Sequence, residues 1–138
     1  MWPFSNKTNY SQEMRNILKD YMLQYIKENP LAADDVVPIF SDAEVMIRNF
    51  SEKEISKMMK ENNVNAECGA LNILQNFAMT KIQSKSAKDF LFASDYAYIL
   101  YNDVNDLKLK KGYISQEQYD ENELLATKLS IQSPFGWI

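Results

Sequence analysis

Apolar residues recur at intervals of three and four along most of this 138-residue chain, and no segment alternates apolar and polar residues with a period of two. The first pattern is typical of amphipathic helices, whereas half-buried strands show the second. Glycine, which tight β-hairpin turns require, occurs only three times. We therefore predict an all-α fold, a compact bundle of five or six helices that forms a single helical domain over residues 1–138.

The clearest amphipathic helix begins near Ser11 and ends at Asn29 and Pro30, because asparagine and proline together stop a helix. Residues 31–40 are predicted to form a connection, with Pro38 interrupting any helical pattern there. The apolar positions of the predicted helix follow helical spacing: Met14, Ile17, Leu18, Tyr21, Met22, Tyr25 and Ile26.

Two capping-box patterns, in which a serine is followed three positions later by a glutamate, lie in the next part of the chain. Residues 41–44 are predicted to begin a short helix, and residues 51–54 are predicted to begin another. Asn62 and Asn63 then end the second of these helices. The apolar residues of the two helices are Val45, Met46, Ile47, Phe50, Ile55, Met58 and Met59.

A central apolar helix pair is predicted over residues 66–104. The helix at residues 65–84 carries apolar side chains over more than half of its circumference, which is wider than the stripe of a surface helix. Ser86 and Asp89 are predicted to begin the second helix, which is equally apolar up to Tyr101. Residues 102–111 carry that helix out into polar and charged sequence.

Residues 105–130 are predicted to form a C-terminal helical hairpin, followed by an aromatic tail at residues 131–138. Gly112 suits the position just after a helix, where a left-handed backbone is common. Ser115 and Gln118 suit the start of the next helix, which is predicted to run to about residue 130.

The turn sequence Gly112-Tyr113-Ile114-Ser115-Gln116-Glu117-Gln118-Tyr119 resembles the Gly-x-Ile-Ser/Thr-x-Glu-x-aromatic pattern of the SHOCT family. The resemblance covers about residues 105–129 and implies a short C-terminal helical module with a role in oligomerisation. The chain departs from that family at Glu123, Ala126 and Thr127, where a lysine and a leucine pair are usual.

Metal and cofactor chemistry has little support in the composition. The chain contains no histidine and one cysteine, Cys68, which excludes zinc sites of the histidine or cysteine type and histidine-containing di-iron sites. A calcium loop centred on Gly112 would place leucine, leucine, lysine and glutamine at ligand positions, where calcium requires carboxylates. There is no glycine-rich phosphate loop. We expect no metal and no cofactor.

The charge and hydropathy patterns bear on nucleic acids and membranes. The net charge is −4, and the helix at residues 66–74 contains no lysine or arginine, so we expect no nucleic-acid binding. No stretch approaches the roughly 20 apolar residues of a membrane span. The first residues lack the pattern of a secretory signal, and a cytoplasmic location is therefore expected.

Side chains for catalysis are limited to carboxylates, tyrosines, lysines, serines and one thiol. Glu117 and Glu121 lie one helical turn apart, a spacing that usually marks a solvated helix face. Cys68 lies in an apolar stripe and has no histidine to activate it. We therefore expect a protein that is not an enzyme.

Aromatic residues at both ends of the chain provide the main candidates for interaction. Chain ends are normally polar and frayed, whereas tryptophan, tyrosine and phenylalanine are enriched at interfaces. The ends cover the protein's own bundle or contact a partner, or the first of them, with Trp2 and Phe4, touches a membrane, although no basic cluster accompanies it. The interaction candidates, including two hairpin tyrosines, are Trp2, Phe4, Tyr113, Tyr119, Phe135, Trp137 and Ile138.

The sequence thus predicts a non-catalytic module for protein–protein interaction or self-association, of the inhibitor, immunity or adaptor type. Its partner would be another protein or a second copy of the chain. The alternative is an enzyme based on carboxylates or tyrosines, or a binder of a small apolar ligand in the aromatic-rich helical centre. A deep pocket with converging acidic or tyrosine side chains would favour the alternative, and a solid core would favour the interaction module.

Overall fold

The computed structural model describes residues 9–84 and 96–135, and the side chains of residue 84 and residues 129–135 lie outside that description. The described residues form helices and no strand, which confirms the prediction of an all-α bundle. A short 3-10 turn, Pro30–Ala32, joins the first two helices. The helices are α1 (Tyr10–Glu28), α2 (Ala33–Asn49), α3 (Glu52–Glu61), α4 (Ala66–Ser84), α5 (Tyr96–Lys110) and α6 (Gln116–Phe135).

The beginning of α1 is stabilised by two side chains. The Asn9 side chain accepts a hydrogen bond from the Gln12 backbone N–H at 2.9 Å. Glu52, far along the chain in α3, accepts hydrogen bonds from the backbone N–H groups of Tyr10 at 2.6 Å and Ser11 at 2.9 Å. A carboxylate at this end also favours the helix dipole, so Glu52 fixes α3 against the start of α1.

Helix α2 corrects the prediction for residues 31–50. The predicted connection at residues 31–40 is wrong beyond residue 32, because α2 begins at Ala33 and continues through Pro38 to Asn49. The capping-box pattern at residues 41–44 is also wrong, since it lies in the middle of this helix. Proline costs α2 one hydrogen bond, and a continuous buried face outweighs that loss: Val36, Ile39, Phe40, Ala43 and Ile47.

Both predicted ends of α3 are confirmed. Ser51 Oγ accepts a hydrogen bond from Glu54 N at 3.1 Å, and a Glu54 carboxylate oxygen accepts one from Ser51 N at 3.1 Å, which completes a capping box. At the other end, Asn63 has a left-handed backbone with φ of 52°. Val64 N then donates to Met59 O at 2.8 Å, which closes the helix.

The core is organised around α4, which packs against α1, α2, α5 and α6. The prediction of a helix at residues 65–84 is confirmed, and so is its central place in the bundle. Its apolar faces contact buried residues from the surrounding helices, so the centre of the bundle is filled. The core residues of α4 and α5 are Ala70, Leu71, Leu74, Ala78, Ile82, Ala97, Leu100, Tyr101 and Val104.

The second half of α5 is more buried than its sequence indicates. Residues 102–111 were expected to lead out of the core, but Val104, Asn105 and Lys108 are buried. They lie on the same face as Leu100 and Tyr101, since residues three or four apart are neighbours on a helix. The predicted start at Ser86 and Asp89 lies outside the described residues.

The predicted hairpin between α5 and α6 is confirmed in its local geometry. Gly112 has a φ of 76°, and Tyr113 N donates to Lys108 O at 2.9 Å, which together form the expected helix end. Ser115 Oγ accepts from Gln118 N at 3.1 Å and caps α6. Helix α6 runs to Phe135 instead of ending near residue 130, because Pro134 falls in its last turn and removes only one donor there.

Candidate functional site

Tyr113, one of the predicted interaction residues, fixes the α5–α6 turn to the beginning of α4. Its hydroxyl donates a hydrogen bond to Glu67, and Lys111 forms an ion pair with the same carboxylate at 3.1 Å. The Asn65 side chain donates to the Tyr113 hydroxyl at 3.3 Å. The bond from Tyr113 lowers the pKa of Glu67, so the carboxylate stays charged and the contact is kept at neutral pH.

Tyr119, the second predicted residue with a described side chain, is engaged within the hairpin. Its hydroxyl donates to Asp106 Oδ1 at 2.5 Å and thereby joins α6 to α5. This bond raises the pKa of Tyr119 to about 12. The two tyrosine hydroxyls therefore serve internal contacts, one with α4 and the other with α5.

The other predicted interaction residues remain predictions. Trp2, Phe4, Trp137 and Ile138 lie outside the described residues, and so does the side chain of Phe135, the last residue of α6.

A groove lies where α3 meets α4 beside the end of α2, and sequence reasoning did not identify it. We call it the methionine groove, because four methionines line it together with other apolar side chains. Its volume is about 490 Å³. The residues that define it are Met14, Met46, Phe50, Met58, Met59 and Ile73.

The floor of the methionine groove depends on Gly69 of α4. A Cβ atom at this position would lie 2.7 Å from Met59 Sδ and 3.2 Å from Met14 Cε. The absence of a side chain therefore lets two methionine ends lie directly against the α4 backbone. Methionine has three rotatable bonds and a polarisable sulfur, so a surface built from it can adapt to different apolar shapes.

The apolar surface continues beyond the groove. A second hollow of about 500 Å³ shares Met46 and Phe50 with it and also contacts Val45 and Phe77. Along the rim, Val45, Met46 and Met58 remain 43%, 39% and 40% exposed. Large apolar side chains that are adjacent and this exposed are typical of a surface that meets another molecule.

A buried polar cluster joins α4, α5 and α6 on another side of the bundle. Asn105 Nδ2 donates to Tyr119 O at 3.1 Å, and Asn105 Oδ1 accepts from Asn122 Nδ2 at 2.9 Å. Lys108 Nζ donates to Gln75 Oε1 at 2.7 Å. Burial lowers the pKa of Lys108, because its charged form is taken out of water.

Asp103 and Tyr25 form the described contact that best matches the alternative prediction, an enzyme based on carboxylates or tyrosines. The Tyr25 hydroxyl donates to Asp103 Oδ2 at 3.1 Å, and burial raises the pKa of Asp103. Neither residue lines the methionine groove or the neighbouring hollow. The pair therefore joins α1 to α5, and it has no place for a substrate at either apolar surface.

The part of the chain that the structure describes contains neither a cluster of metal-ligating side chains nor a helix that could span a membrane. Within residues 9–84 and 96–135, no three acidic or thiol side chains are grouped so that they could hold a metal ion. None of the described helices combines the length and apolar character that crossing a membrane requires.

Comparisons with protein family models, curated proteins and solved structures found no match to this chain. The resemblance of residues 105–129 to the SHOCT family therefore stays a prediction.

Proposed function

We propose that this protein is a non-catalytic interaction module that binds an apolar helical segment of a partner protein in the methionine groove. The observation that carries this proposal is the exposed apolar surface formed by the groove and the adjoining hollow. Met46 and Phe50 belong to both, so the surface is continuous. Amphipathic helices bind other proteins by placing successive large side chains in such a groove.

The filled centre of the bundle supports this proposal over a small apolar ligand. Leu74, Leu100 and Val104 are fully buried members of the core cluster, so the apolar centre predicted to hold such a ligand is filled by the chain's own side chains. Small-molecule sites enclose most of their ligand, whereas the rim of the methionine groove remains open at Met46 and Met58. An apolar surface that continues from the groove into the adjoining hollow suits a peptide segment better.

Charge favours a partner segment with a basic polar face. The chain has a net charge of −4, and Asp42 lines the hollow next to the groove. Complementary charge increases the rate of association and excludes partners of the wrong sign. The proposed occupant is therefore an amphipathic helix with large apolar residues on one face and lysines or arginines on the other.

The experiment places a photocrosslinking phenylalanine analogue at position 58, in the groove, in cells of the native organism. Position 124 is the matched control, because Leu124 is 55% exposed on α6 and lies outside the groove. We expect one protein to crosslink at position 58 and not at position 124. A synthetic peptide that covers the crosslinked segment should then bind the purified chain in calorimetry.

The same peptide is titrated into the Met58→Lys and Leu124→Lys variants. We expect Met58→Lys to weaken binding by at least about tenfold, because it places a charge in an apolar contact, and Leu124→Lys to change it by less than about twofold. Equal crosslinking at both positions would contradict the proposal. So would peptide binding that Met58→Lys leaves unchanged, or crosslinks that join only copies of this chain.

A further inference from the structure

Lys108 is a buried cation without a carboxylate partner among the described residues. It is 6% exposed, and none of the ion pairs formed within the described part of the chain includes it. Within the described part of the chain, its Nζ donates one hydrogen bond, to Gln75 Oε1, which is a neutral acceptor. A buried ammonium group is costly unless an opposite charge compensates it. The arrangement therefore provides a positive charge whose natural partner is an anion.

An ammonium group has three donors, and Gln75 accepts from one of them. Lys108 lines a cavity of about 520 Å³ between α4, α5 and α6, which we call the lysine cavity. Four amide side chains also line it: Asn72, Asn76, Gln118 and Asn122. Asn72, Gln118 and Asn122 each already donate one hydrogen bond within the chain, and the second N–H of each amide can donate to an oxygen atom held near Lys108.

The rest of the lysine cavity is apolar. Met79, Ile114 and Leu125 contribute to its lining, together with Tyr101 of α5. A molecule that fits this combination has one anionic end and a small hydrocarbon body.

We propose that the lysine cavity binds a small organic monocarboxylate, with its carboxylate against Lys108 and its hydrocarbon part against Met79, Ile114 and Leu125. Nothing in this proposal depends on the methionine groove. The two surfaces share only Asn72 among their described lining residues.

The cation content of the site favours a carboxylate over a phosphate group. Arginine is the usual bidentate partner of phosphate, and both arginines of this chain interact elsewhere. Arg15 and Arg48 each form an ion pair with Glu44. One lysine matches the single charge of a carboxylate, and the surrounding amides match its two oxygen atoms.

The test uses the purified full chain with benzoate and isovalerate as probes, and with benzamide and inorganic phosphate as comparisons. Calorimetry measures the affinity of each compound at neutral pH. Nuclear magnetic resonance follows the side-chain amide signals of Asn76 and Gln118, which line the cavity. We expect at least one of the two carboxylates to bind with a Kd of about 1 mM or lower and to shift these signals.

Two variants distinguish binding that depends on the buried Lys108 from binding that depends on positive charge at the surface. Lys108→Met removes the charge and keeps the length of the side chain. Lys110→Met removes an exposed lysine from the same helix, two residues further along. We expect Lys108→Met to weaken carboxylate binding by at least about tenfold, and Lys110→Met to leave it nearly unchanged.

Should Lys108→Met fail to fold, the comparison of benzoate with benzamide on the unaltered chain still decides the question, because the two differ mainly in charge. The proposal is wrong if neither carboxylate binds, or if benzamide or phosphate binds as well as benzoate. It is also wrong if a folded Lys108→Met variant keeps the affinity. In each of these cases the Lys108–Gln75 contact is only structural.

Discussion

Replacing Gly69 by alanine tests whether the methionines of the groove are adaptable. Gly69 is the fourth residue of α4, and its new Cβ would lie 2.7 Å from Met59 Sδ. Real Cβ atoms essentially never lie this close to another heavy atom, so the Met59 side chain must move. The neighbouring atoms belong to the flexible ends of Met59 and Met14, and none of the nearest three is a backbone atom.

Three effects determine the stability of the Gly69→Ala variant. Alanine is favoured over glycine within a helix by up to about 1 kcal/mol, and the added methyl group contributes up to about 0.8 kcal/mol when buried. Moving Met59 away from its preferred rotamer costs about 0.5 to 1.5 kcal/mol. We therefore expect the free energy of unfolding to rise by roughly 0.5 kcal/mol, and partner affinity to fall because the methyl group fills the groove floor.

Urea unfolding followed by circular dichroism measures this change, with Gly112→Ala as the matched control. Gly112 has a φ of 76°, and no neighbouring atom lies within 4 Å of the position that a Cβ would occupy, so alanine there is strained by the backbone alone. We expect Gly112→Ala to lower the free energy of unfolding by about 1 kcal/mol. If Gly69→Ala is as destabilising as this control, the methionine ends are fixed and the argument for an adaptable groove is wrong.

Three further predictions concern caps, charge and the tail. Ser51→Ala should lower the free energy of unfolding by about 1 kcal/mol in urea titration, and Ser41→Ala should not, because Ser51 caps α3 whereas Ser41 lies in the middle of α2. Burial raises the pKa of Asp103 above 3.8, so its ionisation destabilises the fold as pH rises through the raised pKa. Asp103→Asn, which keeps an acceptor for Tyr25, should therefore gain stability over the wild type in thermal melts as the pH rises from about 3 to about 6. Deleting residues 133–138 should lower the melting temperature and leave the sedimentation coefficient of the assembly unchanged; conversion of a dimer to a monomer would instead assign the aromatic tail to an interface.

The elements that the sequence predicted correctly are those whose ends carry local signals. Ser51 and Glu54 form their capping box within one helical turn, and Asn63 and Gly112 each adopt the left-handed backbone that ends a helix. These interactions involve residues within about five positions of each other. They are therefore visible in the sequence without knowledge of the tertiary fold.

Helix α2 shows where local signals fail. Pro38 and the serine–glutamate pattern at residues 41–44 both favour a break, and the helix continues through them. Its stability comes from a buried face against α1, α4 and α5, and such contacts depend on the arrangement of the whole bundle. Burial of five apolar side chains outweighs one missing hydrogen bond.

The candidate sites were harder to predict than the helices. The methionine groove combines residues from four helices, and sequence spacing cannot show that Met14 and Met58 face the same space. Lys108 did have a local signal, because it follows Tyr101 and Val104 at spacings of seven and four on the face of α5 that is buried. A lysine in line with core residues is a reason to look for a compensating anion.

Helix α4 connects the two candidate sites. A helix that is apolar on most sides requires covering on most sides, and α1, α2, α5 and α6 provide it. Yet α4 also carries Asn72, Gln75 and Asn76 within little more than one turn, and amides in such a helix need polar partners. Gln75 finds its partners in α5, whereas Asn72 and Asn76 line the lysine cavity, and Asn72 also reaches the methionine groove. Asn72 and Asn76 therefore lie where the covering of α4 is incomplete, and the two gaps in that covering are the surfaces proposed to bind a carboxylate and a partner helix.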